Sequence, residues 1–308
     1  MITAGRGRLV ALAAVAVGAT VALAGCASGD PLDSGSNEGG GTSETIVVGS
    51  QDYYSNEIIA EIYAQALEEN GITVERQFRI GQREVYIPEI EDGAIDVFPE
   101  YTGNLLQYYV PDTESTTTDD VYAELETSLP DGLRVLDQSP ATDQDSYNVT
   151  KAFSDENGVT SLADLKDVAT PITLGGNSEL ATRPYGPEGL KSVYGVDVAF
   201  TPIEDSGGPL TLKALVDNQV QMVNIFSADP NIAANDLVTL EDPEGLFLAS
   251  HVVPLVSEKV TDEIAEIINT VSAALTAEEL VALNALSVNE QQSADQIASD
   301  WLAEQSLF

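Results

Sequence analysis

IDVFPEYTGNLLQYY, residues 95–109, is the stretch on which the fold turns. Ile95-Asp96-Val97-Phe98 has the spacing of a strand, and after Pro99, Glu100, Tyr101 and Gly103 an apolar stripe follows at helical spacing. A strand handing directly to a helix is half of a βαβ unit, and such units build parallel sheets with functional loops at the strands' C-terminal ends. Proline interrupts a strand ladder but fits a helix's first turn. The reading therefore starts the helix at Pro99, puts Glu100 in its positively polarised first turn and projects Tyr101 from the junction. The competing reading packs Tyr101, Leu105 and Tyr108 as one helical face in the core.

The same grammar runs outward in both directions. ETIVVGS (44–50), SNEIIAEIYAQALEENG (55–71) and ITVERQFRI (72–80) read as strand, helix, strand, with Ser55 as the helix cap, Gly71 at its end and Ile58, Ile59, Ile62, Tyr63 and Leu67 along its buried face. After DSYNVT (145–150) the pattern restarts through PITLGG (171–176), VDVAFTPI (196–203) and QMVNIF (221–226). From Thr261 onward the chain is helical, in three segments opened by Thr261, Thr276 and Ser293. Two α/β halves and a helical tail predict a bilobed α/β protein. Residues 45–144 plus 246–308 form one lobe and residues 145–245 the other, with links near 141–148 and 242–250.

The first residues give an address. Arg6 and Arg8 precede a small-apolar run that ends in Leu23-Ala24-Gly25-Cys26. The run is too short to span a bilayer, so residues 1–25 read as a signal peptide. Leu-Ala-Gly-Cys resembles the lipobox of bacterial lipoproteins, which makes Cys26, the only cysteine, the lipid attachment point and holds the protein at the outer face of the cytoplasmic membrane. Residues 26–44, rich in glycine and serine, read as a flexible tether. Removing residues 1–25 takes two arginines and no acid, so the net charge moves from −39 to −41. Such a surface repels nucleic acid and anionic headgroups. Only ten basic residues remain to build an anion site, Arg183 among them.

No catalytic set stands out. His251 is the single histidine and has no cysteine or second histidine to complete a zinc site or a triad. LGGNS and SGGPL lack the lysine of a phosphate loop. Neither a metal, a cofactor nor an enzymatic activity is expected, and binding is the better reading.

Residues 47–109 resemble the N-terminal lobe of the glycine betaine/carnitine/choline class of ABC-importer binding proteins. The resemblance is most specific at Gly49-Ser50 and at Asp96-x-x-Pro99-Glu100-Tyr101-Thr102-Gly103. It continues through DSYNVT, TRPYGPEGLKSVYG, ALVDNQVQMVNIFSAD and HVVPLVS. It implies the type II periplasmic-binding-protein fold, a monomeric receptor for a quaternary-ammonium solute, and delivery to an ABC permease. It also implies an aromatic cage for the ammonium, which cannot donate N–H bonds and so prefers ring faces. Tyr101 and Tyr147 then take cage positions, Asp145 stands beside Tyr147, and Arg183 approaches the ligand's carboxylate.

The chain departs from that pattern at four places. Gln51 stands where the family has a lysine, Asn104 where it usually has threonine, and Phe226 and Ser250 where it has tyrosines. These changes point to a larger or less anionic ligand than glycine betaine, with Tyr53 or Tyr54 as a replacement ring. The alternatives are the same fold serving another small solute, such as ergothioneine or an amino-acid derivative, and an exported enzyme.

Overall fold

The computed structural model describes residues 45–308. The signal peptide, the tether and Cys26 lie outside the described residues. The first lobe opens with β1 (Ile46–Gly49), α1 (Tyr54–Glu69), β2 (Val74–Gln77), α2 (Arg83–Glu91), β3 (Val97–Tyr101), α3 (Thr102–Tyr109), α4 (Thr118–Ser128) and β4 (Leu133–Val135). The chain then crosses to β5 (Asp145–Thr150), α5 (Lys151–Asn157), β6 (Thr173–Gly176), α6 (Pro187–Gly189), β7 (Ala199–Pro202), α7 (Pro209–Val216), β8 (Met222–Phe226), α8 (Asn231–Ala234) and β9 (Leu237–Thr239). It returns as β10 (Val252–Ser257) and closes with α9 (Asp262–Ala274), α10 (Ala277–Glu290) and α11 (Ala294–Gln305).

These strands form two five-stranded sheets, ordered β2-β1-β3-β10-β4 and β7-β6-β8-β5-β9. In each, a parallel core from the βαβ units meets antiparallel partners: β10 against β3 and β4, and β5 against β8 and β9. The two crossing segments, between β4 and β5 and between β9 and β10, touch through an antiparallel bridge of Thr142 with His251. Each sheet carries apolar clusters on both faces, as sheets built by crossover helices must. In the first, α1, α9, α10 and α11 cover one face, and α2, α3 and α4 cover the other.

The structure moves one boundary that matters. Pro99 and Glu100 do not start a helix. They belong to β3, and the helix begins at Thr102. Proline is tolerated in this central strand because the nitrogens of Pro99 and the facing Pro254 of β10 turn away from their shared seam, and on the other side of β3 the pairing with β1 is at Val97 and does not reach Pro99. Both carbonyls are satisfied, that of Pro99 by Asn56 Nδ2 at 2.8 Å and that of Pro254 by Leu136 N at 2.9 Å. Ser55 is likewise not the cap of α1. Its hydroxyl goes to Asp143 Oδ2 at 2.8 Å, and the cap position is Tyr53. Thr261, Thr276 and Ser293 do cap α9, α10 and α11, accepting from Ile264 N, Glu279 N and Gln296 N.

Gly103 holds the β3–α3 turn against the returning crossover. A Cβ placed there would lie 2.8 Å from Ala249 O and 2.9 Å from Leu248 Cβ, closer than real contacts allow. Gly103→Ala therefore overpacks the turn and costs about 1–3 kcal/mol. Thermal unfolding should show Tm lowered by roughly 2–10 °C. An unchanged Tm would mean that this contact yields freely.

Candidate functional site

A cleft lies between the sheets, where both present the ends of their strands. It is lined from the first lobe by Gln51, Tyr53, Gln82, Arg83, Tyr101 and Asn104, and from the second by Asn177, Glu179, Arg183, Tyr185, Ser206, Asn224 and Phe226, with Asp143 and Asp145 at the crossing between them. The space open to the centre of a water-sized sphere is about 50 Å³, against the ~10–15 Å³ one water takes on that measure. A compact solute fits such a space.

Strand alternation along β3 sets the first wall. Tyr101 points to the α1 face, where its hydroxyl accepts from Tyr53 Oη at 2.5 Å and from Asn56 Nδ2 at 3.2 Å. Burial pushes both phenols well above their usual range, so both rings stay neutral. Glu100 points the other way and is fully buried. It accepts from Arg83 Nε at 2.8 Å, Arg83 Nη2 at 2.9 Å, Tyr86 Oη at 2.6 Å and the Tyr101 N–H at 2.8 Å.

The second lobe closes onto this wall. Phe226 packs on Tyr53 with ring centroids 4.9 Å apart. Asn104 Nδ2 reaches Asp145 Oδ2 at 2.7 Å and the Tyr185 hydroxyl at 3.1 Å. At the rim Arg183 of the second lobe clamps Glu84 of the first with both guanidinium nitrogens, at 2.5 and 3.1 Å.

Six of the eight residues expected from the sequence line this cleft: Gln51, Tyr101, Asn104, Asp145, Arg183 and Phe226. Tyr147 does not. It sits on β5 two residues beyond Asp145, wholly buried, donating its hydroxyl to Tyr185 O and packing edge-on against Phe247 at 5.1 Å. Tyr185, two residues after Arg183, is the ring at the cleft instead. Ser250 is also displaced from the ligand position. Its hydroxyl donates to Asn104 Oδ1 at 3.0 Å and accepts from Gly103 N at 3.2 Å, which orients Asn104. Of the two candidate replacement rings, Tyr53 lines the cleft, whereas Tyr54 donates to Asp229 Oδ2 at 3.1 Å. Sequence reasoning missed Arg83, Tyr185, Asn177 and Asn224. The scarcity of arginine and tyrosine marked the first two, and nothing in the sequence marks the two asparagines.

The charges facing the cleft are unequal. Both arginines are paired with glutamates, Arg83 through Nε and Nη2 to Glu100 and Arg183 through both Nη atoms to Glu84, whereas among the described residues Asp143 and Asp145 form no ion pair and the one cation acting on Glu179 is Arg183. Enclosure acts most clearly on Asp143. Burial pushes its carboxyl up to about 7, with Asp229 and Asp145 adding to the rise, against lowering by the Ser55 hydroxyl and the Ala228 N–H. Among the described residues no group of three or more His, Cys, Asp or Glu side chains could hold a metal ion.

Two outcomes follow from these contacts. Glu100→Gln leaves the Arg83 charge buried without its counter-ion and should lower unfolding free energy by about 3 kcal/mol in a denaturant titration, and a loss under about 0.5 kcal/mol, the range of an ordinary surface change, would contradict that. For Asp143 the folded pKa lies above the unfolded one, so its contribution to stability is full below about pH 4 and is lost as pH rises through about 7. The stability of the protein relative to Asp143→Asn should therefore fall across that window, and a difference independent of pH would contradict the assignment.

Comparison with known proteins agrees with this geometry. Residues 44–304 match the family described as the substrate-binding domain of ABC-type glycine betaine transport systems. The glycine betaine-binding protein YehZ of Escherichia coli strain K12 is 28% identical over 178 residues, which cover 54% of this chain and 58% of that protein. The chain thus spans somewhat over half the length of this curated relative. The crystal structure of a glycine betaine/carnitine/choline ABC transporter protein superposes with a TM-score of 0.69 at 18% identity, over 85% of this chain and 99% of that one. Apo YehZ from Escherichia coli superposes with a TM-score of 0.63 at 25% identity, over 86% of this chain and 100% of that one. The fold is the bilobed periplasmic-binding-protein architecture, and the chain belongs to the substrate-binding domain family of ABC-type glycine betaine transport systems.

Proposed function

We propose that this chain is an extracytoplasmic receptor that captures a quaternary-ammonium compatible solute and hands it to an ABC permease. One observation carries the reading. Four aromatic rings drawn from both lobes, Tyr53, Tyr101, Tyr185 and Phe226, line one small cleft whose unpaired charges are acidic. A trimethylammonium head has a permanent charge and no N–H to donate, so ring faces and a negative surround are its best partners. Closure needs a ligand that binds the closed state more tightly than the open one. A cation touching Tyr101 of the first lobe and Tyr185 of the second, beside the packed Tyr53–Phe226 pair, meets that condition.

In this reading residues 45–144 with 246–308 act as one rigid body and residues 145–245 as the other. Tyr147 and Ser250 support the rings and Asn104 from behind. Cys26, lipidated after loss of residues 1–25, tethers a monomeric receptor through residues 26–44 to the outer face of the membrane. Capture and release involve no bond chemistry, so no cofactor is required.

Isothermal titration calorimetry with choline, carnitine and glycine betaine tests the reading. Heat is expected for at least one of them, and Tyr101→Ala should weaken that affinity by about 30-fold, the equivalent of ~2 kcal/mol for a desolvated cation–π contact. Silence with all three, or an affinity indifferent to Tyr101→Ala, would overturn it.

A further inference from the structure

Two polar groups in the cleft have nothing to bond. Gln51 Nε2 and Asn224 Nδ2 are buried and have no hydrogen-bond partner, and their residues are only 6% and 8% exposed. Both residues line the same cleft. They face it from opposite lobes, Gln51 from the loop after β1 and Asn224 from within β8. A buried donor left unpaired costs about 1–3 kcal/mol, so the fold alone has no reason to keep two of them in one place.

Local structure sets where both residues enter the cleft. The Gln51 N–H is bonded to Asn56 Oδ1 at 2.8 Å, and the same Asn56 donates to Tyr101 Oη. Gln51 is thereby fixed to the aromatic wall. Asn224 owes its room to Gly176, since a Cβ on that glycine would come within 3.3 Å of Asn224 Cβ and 2.7 Å of Leu180 Cδ2.

What these donors await is an oxygen, and the surroundings decide its charge. Both guanidinium charges in the cleft are already balanced by a glutamate, Arg83 by Glu100 and Arg183 by Glu84. Asp143, Asp145 and Glu179 line the same space. A carboxylate placed there would be a desolvated anion facing other acids, which is costly. A hydroxyl suits the site better, for it accepts from an amide and gives its own proton to an acid, which a carboxylate cannot do.

We propose that Gln51 and Asn224 form an amide grip across the cleft for an uncharged oxygen of the ligand, and that this pair makes the receptor select a quaternary-ammonium alcohol over a betaine. The inference rests on the quaternary-ammonium reading above and names the other end of that ligand. Gln51 brings hydrogen-bonding capacity without charge, and Asn224 ties the same oxygen to the moving lobe, so the grip contributes to closure as well as to choice.

Calorimetry with three probes separates the parts: tetramethylammonium, which has the head and no oxygen; choline, which adds a hydroxyl; and glycine betaine, which adds a carboxylate. The unaltered protein should bind choline at least about tenfold more tightly than glycine betaine, a difference of ~1.4 kcal/mol. Gln51→Leu and Asn224→Leu should each lower the choline-to-tetramethylammonium affinity ratio by about tenfold. Gln51→Lys should move the betaine-to-choline ratio toward betaine by a similar factor. Tetramethylammonium and choline binding with glycine betaine equal or tighter would overturn the grip while leaving the cation site standing. So would leucine variants that leave the choline-to-tetramethylammonium ratio unchanged. Absence of binding for all three probes would overturn the cation site itself, and the grip with it. The comparison on the unaltered protein needs no variant to fold.

Discussion

Successive side chains of a strand point to opposite faces, and the last two residues of β3 use this fully. Glu100 turns to α2, where Arg83, Tyr86 and the Tyr101 N–H satisfy it. Tyr101 turns to α1, where Tyr53 and Asn56 hold its hydroxyl. One strand end thus carries a buried ion pair on one face and a cleft-lining ring on the other, and neither can be moved without the other. The glycine two residues later lets α3 turn directly beneath the returning crossover, which brings Asn104 to the second lobe.

That geometry gives the cleft its electrostatic character. A protein with 12 basic residues against 51 acidic ones has few cations to place, and two of them are at the cleft. Both are paired with glutamates: Arg83 in the wall with Glu100, and Arg183 at the rim, where its bond to Glu84 joins the lobes. The acids that remain are held close to aromatic rings and amides. The proposed cation site rests on this distribution of partners, with the bulk surface charge as background.

Much of the architecture was legible in the sequence, because periodicity reports burial directly. The α1 stripe from Ile58 to Leu67 is buried as its spacing requires, and the three tail helices start at their Thr and Ser caps. The errors have local physical causes. Pro99 reads as a helix start by any rule that forbids proline in a central strand, and only the register of β3 lifts the rule, since its pairing with β1 is at Val97 and leaves no ladder bond for the residue 99 nitrogen to make. Tyr147 and Tyr185 could not be ranked from sequence, since Phe247 packs against both rings, at 5.1 and 5.6 Å, and only the fold shows that Tyr185 is the one lining the cleft. Arg183 was found at the cleft as expected, but its partner Glu84 comes from the other lobe. The role of Asn224 depends on an absence, a donor without a partner, which only coordinates can reveal.

A crystal structure with choline bound is the most direct measure of the central claim, that rings from both lobes converge on one cation. The account predicts density for the trimethylammonium head among Tyr53, Tyr101, Tyr185 and Phe226, within about 6 Å of the ring centroids. Choline held elsewhere on the protein, with the space between those rings filled by water alone, would contradict it.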